Sequence, residues 1–222
     1  MSLSGTRLTP PLALSKSFGK VLLKFRSATN YCANMAKKTA ILLIAEGSEE
    51  MEAVITADVL RRGGVDVTIT SISNDECVKC SRDVKVCADT KLAAVADQKY
   101  DVVILPGGLE GSKTFACSDE VGKILKKQEE KEGIIAAICA APTALKAHKI
   151  YTGKQITSYP SMKDQLTDSY KYLEEKVVVD GNLITSRGPA TAFAFGLAIV
   201  EKLINKDTAC TVAKGMLYDD YK

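Results

Sequence analysis

From Thr39 onward, apolar positions fall into short continuous runs separated by amphipathic stretches. Residues 39–45 (TAILLIA), 101–105 (DVVIL) and 133–138 (GIIAAI) are too short for buried helices and too uniformly apolar for strands with one face in water. They predict strands covered on both faces, as in a parallel sheet. Helix-period segments lie between them. Residues 49–62 offer Met51, Val54, Ile55, Val59 and Leu60 as an apolar face and stop at Gly63-Gly64. Residues 119–131 are amphipathic, 142–149 begin on a proline, and 190–204 read as a long apolar helix. Residues 65–72 alternate as a strand, 80–88 fit a short hairpin or edge strand, and 92–96 fit a short helix. Strands at 155–159 and 182–186 complete the pattern. This alternation predicts an α/β fold, a mostly parallel sheet with helices on both faces. No repeat, low-complexity run or linker breaks it, so residues 35–222 are read as one domain.

The first 34 residues stand apart. They contain no acid and five serines. Lys16, Lys20 and Lys24 would form a basic helical stripe, and Phe18, Leu22 and Phe25 an apolar one. This is the character of a mitochondrial targeting segment, with a solvated tail as the plain alternative. Met35 followed by Ala-Lys-Lys also looks like a natural start, which leaves cytoplasmic and nuclear locations open. Charge follows the same division. Residues 1–38 hold 7 of the 30 basic side chains, so 23 face 27 acids from Thr39 on, and the body is slightly acidic. Neither this nor a tryptophan-free composition suggests a sequence-specific nucleic-acid surface. No apolar run reaches a membrane-spanning length. Seven cysteines, odd in number and irregular in spacing, suggest reduced thiols rather than a disulfide framework.

In such sheets, sites form beyond the carboxyl ends of the strands. Three loops fall there: 46–52, 106–111 and 139–142. Ile138-Cys139-Ala140 places a thiol between a buried strand and a helix, the arrangement of a nucleophile elbow. The helix that follows would lower the thiol pKa through its free N–H groups and dipole. Gly107-Gly108 allows close backbone approach and can aim N–H groups at a developing oxyanion. Glu49, Glu50 and Glu52 suit a helix start, and one of them, if buried, could donate a proton to a thiolate. His148, the only histidine, lies too far along its helix to serve Cys139 as a base. Cys77-Val-Lys-Cys80 has CxxC spacing without further ligands or a helix start, which gives weak support for metal or disulfide exchange.

These residues resemble the ThiJ/PfpI superfamily, specifically its parkinsonism-associated deglycase branch. The resemblance runs from about Met35 to Leu217. It rests jointly on Glu49-Glu50-Met51-Glu52, Cys80-Ser81-Arg82-Asp83, Leu105-Pro106-Gly107-Gly108, residues 136–143 (AAICAAPT) and residues 185–189 (TSRGP). It implies a flavodoxin-like three-layer sandwich and a homodimer. It makes Cys139 the nucleophile and Glu52 its partner acid, with Gly107, Gly108 and Ala140 around the oxyanion. Arg62, Arg82 and Pro189 would lie beside the site, the two arginines near the dimer interface. Cys80 and Cys87 match secondary oxidisable thiols. The implied activity is cofactor-free and metal-free: removal of early methylglyoxal and glyoxal adducts from proteins and nucleotides, or glyoxalase action on the free α-oxoaldehydes. The alternative it carries is a redox sensor or redox-regulated chaperone acting through Cys139. One departure stands out: relatives often have His-Pro near the site, where this chain has Tyr159-Pro160. No Cys-His dyad is then available, and proton transfer falls to Glu52, water or substrate.

Overall fold

The computed structural model describes residues 37–221. The targeting reading of residues 1–34 lies outside them. The chain alternates strands and helices: β1 (Thr39–Ile44), α1 (Glu50–Arg62), β2 (Asp66–Ser71), β3 (Cys77–Lys79), β4 (Lys85–Cys87), β5 (Thr90–Lys91), α2 (Leu92–Val95) and β6 (Val102–Leu105). There follow α3 (Leu109–Cys117), α4 (Asp119–Glu130), β7 (Ile134–Ile138), α5 (Pro142–Ala147), β8 (Gln155–Ile156), β9 (Lys171–Tyr172), β10 (Val177–Asp180), β11 (Leu183–Ser186), α6 (Ala192–Leu203) and α7 (Lys206–Gly215). Seven strands form the main sheet in the order β10-β11-β7-β6-β1-β2-β5, all parallel except β10. With helices on both faces, this is the α/β, flavodoxin-like arrangement that the sequence implied.

The uniformly apolar runs are explained by how each strand divides its side chains. Along β1, Ala40, Leu42 and Ile44 face a core shared with α1, α6 and α7. Ile41 and Leu43 face a second core built with α2, α3, α4 and α5. β6 and β7 divide in the same way, Val102 and Ile104 against Val103 and Leu105, and Ala136 and Ile138 against Ile135 and Ala137. A strand with a core on each side has no place for a polar residue at either phase of its two-residue period.

Four expectations are corrected. The predicted apolar face of α1 is buried at Val59 and Leu60 but not at its start. Met51 and Val54 are each 50% exposed, while Glu52, Ala53, Thr56, Ala57 and Leu60 turn inward. The 155–159 segment shortens to β8, which pairs with β9 outside the main sheet. Helices α3 and α7 and edge strand β10 were not anticipated, because Gly108, Lys206 and Asp180 fall where the pattern reads as loop. The cysteines are not all reduced, since Cys77 and Cys87 face each other across the β3–β4 hairpin and are joined in a disulfide.

Candidate functional site

Strands β1, β6 and β7 run parallel side by side, so the loops at their carboxyl ends meet. Each contributes one part of the site. After β7 the chain turns sharply at Cys139, which has φ of 64°, in the left-handed region where non-glycine residues are uncommon. The turn is held on both sides. The Cys139 N–H donates to the Ser186 carbonyl at 3.0 Å, and the Tyr159 N–H donates to the Cys139 carbonyl at 2.8 Å. This fixed strand-to-helix turn lifts the thiol above the sheet, as the nucleophile-elbow reading anticipated.

After β6 come Gly107 and Gly108. A Cβ on Gly107 would stand 2.5 Å from Cys139 Cβ, 2.7 Å from Glu52 Oε2 and 3.0 Å from Cys139 Sγ. Only a residue without a side chain lets the thiol and the carboxyl converge on one α-carbon. Gly108, at φ of 85°, lies against the Gly47 carbonyl and the Glu49 N–H, where no side chain fits. The third part arrives with α1. Its first turn carries Glu52, which is fully buried, and the Gly107 N–H donates to Glu52 Oε2 at 2.7 Å. The second oxygen, Oε1, is buried and receives no N–H or O–H donor from the described residues, which makes it the natural seat of a proton.

The electrostatics follow from this enclosure. Burial pushes the Glu52 carboxyl up to about 7, against the Gly107 N–H and the thiol, which favour its ionised form. Burial, and then the charge on Glu52, pushes the Cys139 thiol up to about 12. The N–H groups of Gly108 and Ala140 donate toward the sulfur and oppose that rise without overcoming it. The expected lowering of the thiol pKa is therefore corrected: the backbone N–H groups act in the anticipated direction, but desolvation and a neighbouring carboxylate outweigh them. Between about 7 and about 12 the pair holds a single proton. Placed on Glu52, that proton leaves a thiolate beside a donor; placed on sulfur, it leaves an inert thiol.

Cys139 opens into a cleft of about 790 Å³, with Glu52 buried behind it. Gly108, Ala140, Arg82, Pro189 and Tyr159 line it, so most of the anticipated residues come together. Arg62 does not. It ends α1, ten residues beyond Glu52, and pairs with Asp58 at 2.7 Å. Cys80 lines the cleft but is only 4% exposed, and burial followed by Glu50, Glu46 and Glu49 pushes its thiol up to about 11. Cys87 is not a free thiol, being bonded to Cys77. His148 is packed elsewhere, its Nε2 lying 2.8 Å from the Phe115 carbonyl oxygen. What the sequence did not show is how the hairpin wall is held. Ser81 Oγ donates to Glu49 at 2.6 Å and to Glu50 at 3.0 Å, and the Arg82 N–H donates to Glu50. Ser81 and Arg82 stand in a motif of the family resemblance, but nothing in the sequence points to these bonds, because their partners lie some 30 residues earlier in the chain.

The site thus joins an α/β fold, a cysteine on a left-handed strand-to-helix turn and a buried acid beside it. Residues 38–202 match the model of the DJ-1/PfpI family, and the chain belongs to that family. It is similar to the crystal structure of Drosophila melanogaster DJ-1beta, with a TM-score of 0.80 and 54% identity over 82% of this chain and 98% of that one. The structure of an oxidized Toxoplasma gondii DJ-1 aligns with a TM-score of 0.78 and 35% identity over 82% of this chain and 99% of that one. The Caenorhabditis elegans glutathione-independent glyoxalase DJR-1.2 is 42% identical over 76% of this chain and 90% of its own length. No helix among the described residues is long and apolar enough to cross a membrane.

Proposed function

We propose that this chain is a cofactor-free glyoxalase and deglycase in which Cys139 is the nucleophile and Glu52 the proton carrier. The observation that carries this reading is the convergence of thiol and carboxyl on Gly107, with one proton between them. The glyoxalase relative lends support from the comparison side.

The Cys139 thiolate adds to the aldehyde carbon of an α-oxoaldehyde such as methylglyoxal. The Gly108 and Ala140 N–H groups, already directed at the sulfur, hold the oxyanion that forms. Glu52 protonates that oxygen, removes the proton from the same carbon and delivers it to the neighbouring one through an enediol. The product is a lactoyl thioester on Cys139. Water hydrolyses it to lactate and restores the thiol, so the net change is methylglyoxal plus water to lactate and a proton. An early adduct on an amine or thiol joins this route when the amine or thiol leaves. The cleft of about 790 Å³ is larger than methylglyoxal needs and leaves room for the carrier of such an adduct.

The test is lactate release from methylglyoxal without added thiol, with wild type beside Cys139→Ser and Cys139 verified as reduced. Turnover by wild type and none by the variant is the expected result; equal turnover by both overturns the reading.

Oxidation sensing at the same thiol is favoured by the protonatable Glu52, whose O–H can hold a Cys139 sulfinate by a hydrogen bond. A peroxide titration followed by mass spectrometry should then show a sulfinate that persists in wild type and over-oxidises in Glu52→Gln. The exposed Met51 and Val54 on α1 fit the homodimer implied by the family, which light scattering tests directly.

A further inference from the structure

The β3–β4 hairpin forms one wall of the cleft yet stands outside the main sheet. Only three residue pairs join its strands: Cys77 with Cys87, Val78 with Val86, and Lys79 with Lys85. A two-stranded hairpin of this size is marginal by itself. Two things hold this one. The first is the Cys77–Cys87 disulfide at its open end. The second is a set of bonds to the loop that begins α1. The Gly47 N–H donates to the Lys79 carbonyl at 2.9 Å, and the Ser81 N–H to the Ser48 carbonyl at 2.8 Å. Ser81 Oγ and the Arg82 N–H reach Glu49 and Glu50. That same loop places Glu52 two residues further on.

We propose that the Cys77–Cys87 pair is a thiol–disulfide control on the cleft: oxidised, it latches the hairpin wall over the Cys139 site, and reduced, it lets the wall open. Both cysteines are exposed, so an external thiol can reach the bond. The exchange balances: two molecules of a low-molecular-weight thiol, or one dithiol, give up two electrons and two protons, the S–S bond breaks, and Cys77 and Cys87 become free thiols while the reductant becomes a disulfide. Loss of the cross-link restores conformational freedom to the residues between 77 and 87 and leaves the polar bonds to hold the wall alone. Cys80 is the internal reporter. It sits in the hairpin turn, where its N–H donates to the Val84 carbonyl, and its side chain is buried while the wall is closed, so opening the wall must uncover it.

The control concerns access to the cleft, which the proposed activity would use, but it can be tested without that activity. The full chain is poised in oxidised or reduced dithiothreitol, with Cys139 confirmed as reduced in both arms. It is then freed of dithiothreitol by rapid desalting and pulsed with iodoacetamide, and labelling of Cys80 and Cys139 is read by mass spectrometry. Reduction is expected to speed Cys80 labelling several-fold and Cys139 labelling to a lesser extent. A Cys77→Ser, Cys87→Ser double variant is expected to label at the fast rate in both arms. Equal Cys80 rates in the two arms of wild type, with the disulfide shown to be intact in one and absent in the other, overturn the proposal. A double variant that keeps the slow rate overturns it too. Methylglyoxal turnover, measured in parallel, separates the two readings: a several-fold labelling change without turnover leaves the latch standing and removes the enzyme.

Discussion

The floor and the wall of the cleft are built by different means. The floor is Cys139, Gly107 and Glu52, carried by β7, β6 and α1 and pinned by buried backbone hydrogen bonds. Its precision comes from two adjacent parallel strands with a core on each face and from a helix packed against one of those cores. The wall is a three-pair hairpin secured by one disulfide and a few half-exposed polar bonds. In the proposed mechanism, the groups that exchange a proton sit on the rigid part, and the groups that would contact the rest of a substrate sit on the looser part. If this division is real, substitutions in the floor should change chemistry by large factors, and substitutions in the wall should change stability and access by small ones.

Glu52→Gln is expected to have the largest effect. It keeps an acceptor for the Gly107 N–H but removes the proton carrier, and loss of a positioned acid–base group costs about a thousandfold in kcat. Wild-type turnover should rise as pH increases through about 7, where the pair passes from two protons to one, and the variant should lose that step. Stability should move in the opposite direction to activity. A carboxyl raised from 4.5 to about 7 binds more protons in the folded than in the unfolded chain across that interval, so stability falls as pH rises through it. Glu52→Gln should therefore raise the melting temperature at pH 8, by up to about 3 kcal/mol of stability, and leave it little changed near pH 4. A variant that is less stable than wild type at pH 8 would show that Glu52 is not held against its preference.

Gly107→Ala comes next. The new methyl would lie 2.5 Å from Cys139 Cβ and 2.7 Å from Glu52 Oε2, so thiol and acid must separate. A displacement on that scale costs about a hundredfold in turnover, while overpacking one position costs about 1–3 kcal/mol in stability. Turnover and thermal unfolding measured together will show the asymmetry. Near wild-type turnover would mean that the convergence on this α-carbon is not needed for the chemistry.

The same division governs how much of the molecule is legible in its sequence. Strands β1, β6 and β7 could be read because a two-sided core leaves an unbroken apolar run, and the elbow could be read because a cysteine ends one of those runs. From the residues alone the partnership of Glu52 was open, since any of three glutamates suits a helix start, and only the family resemblance named it. Choosing the most deeply buried of them requires the true rotation of α1, which the outward-facing Met51 and Val54 obscured. The thiol pKa was misjudged for a related reason: a helix start is visible in sequence, but burial beside a carboxyl that lies 87 positions away is not. The wall was least legible. Its disulfide joins cysteines ten residues apart whose pairing depends on hairpin register, and irregular spacing conceals such a pair.

The smallest effect is expected at the wall itself. Ser81→Ala removes the hydroxyl that donates to Glu49 at 2.6 Å and to Glu50 at 3.0 Å, while its backbone N–H keeps its bond to the Ser48 carbonyl. Two acids then lose a shared donor, though Glu50 keeps the Arg82 N–H and Glu49 still lines the cleft. A hydrogen bond of this kind is worth about 1 kcal/mol net. Hydrogen exchange across residues 79–84 should therefore speed up by roughly the fivefold that 1 kcal/mol represents, and kcat/KM should stay within about twofold of wild type, because Ser81 touches neither Cys139 nor Glu52. A large loss of turnover from this single hydroxyl would break the comparison, since it would mean that the wall sets the position of Glu52 through Glu49 and Glu50 and belongs, in energetic terms, to the floor.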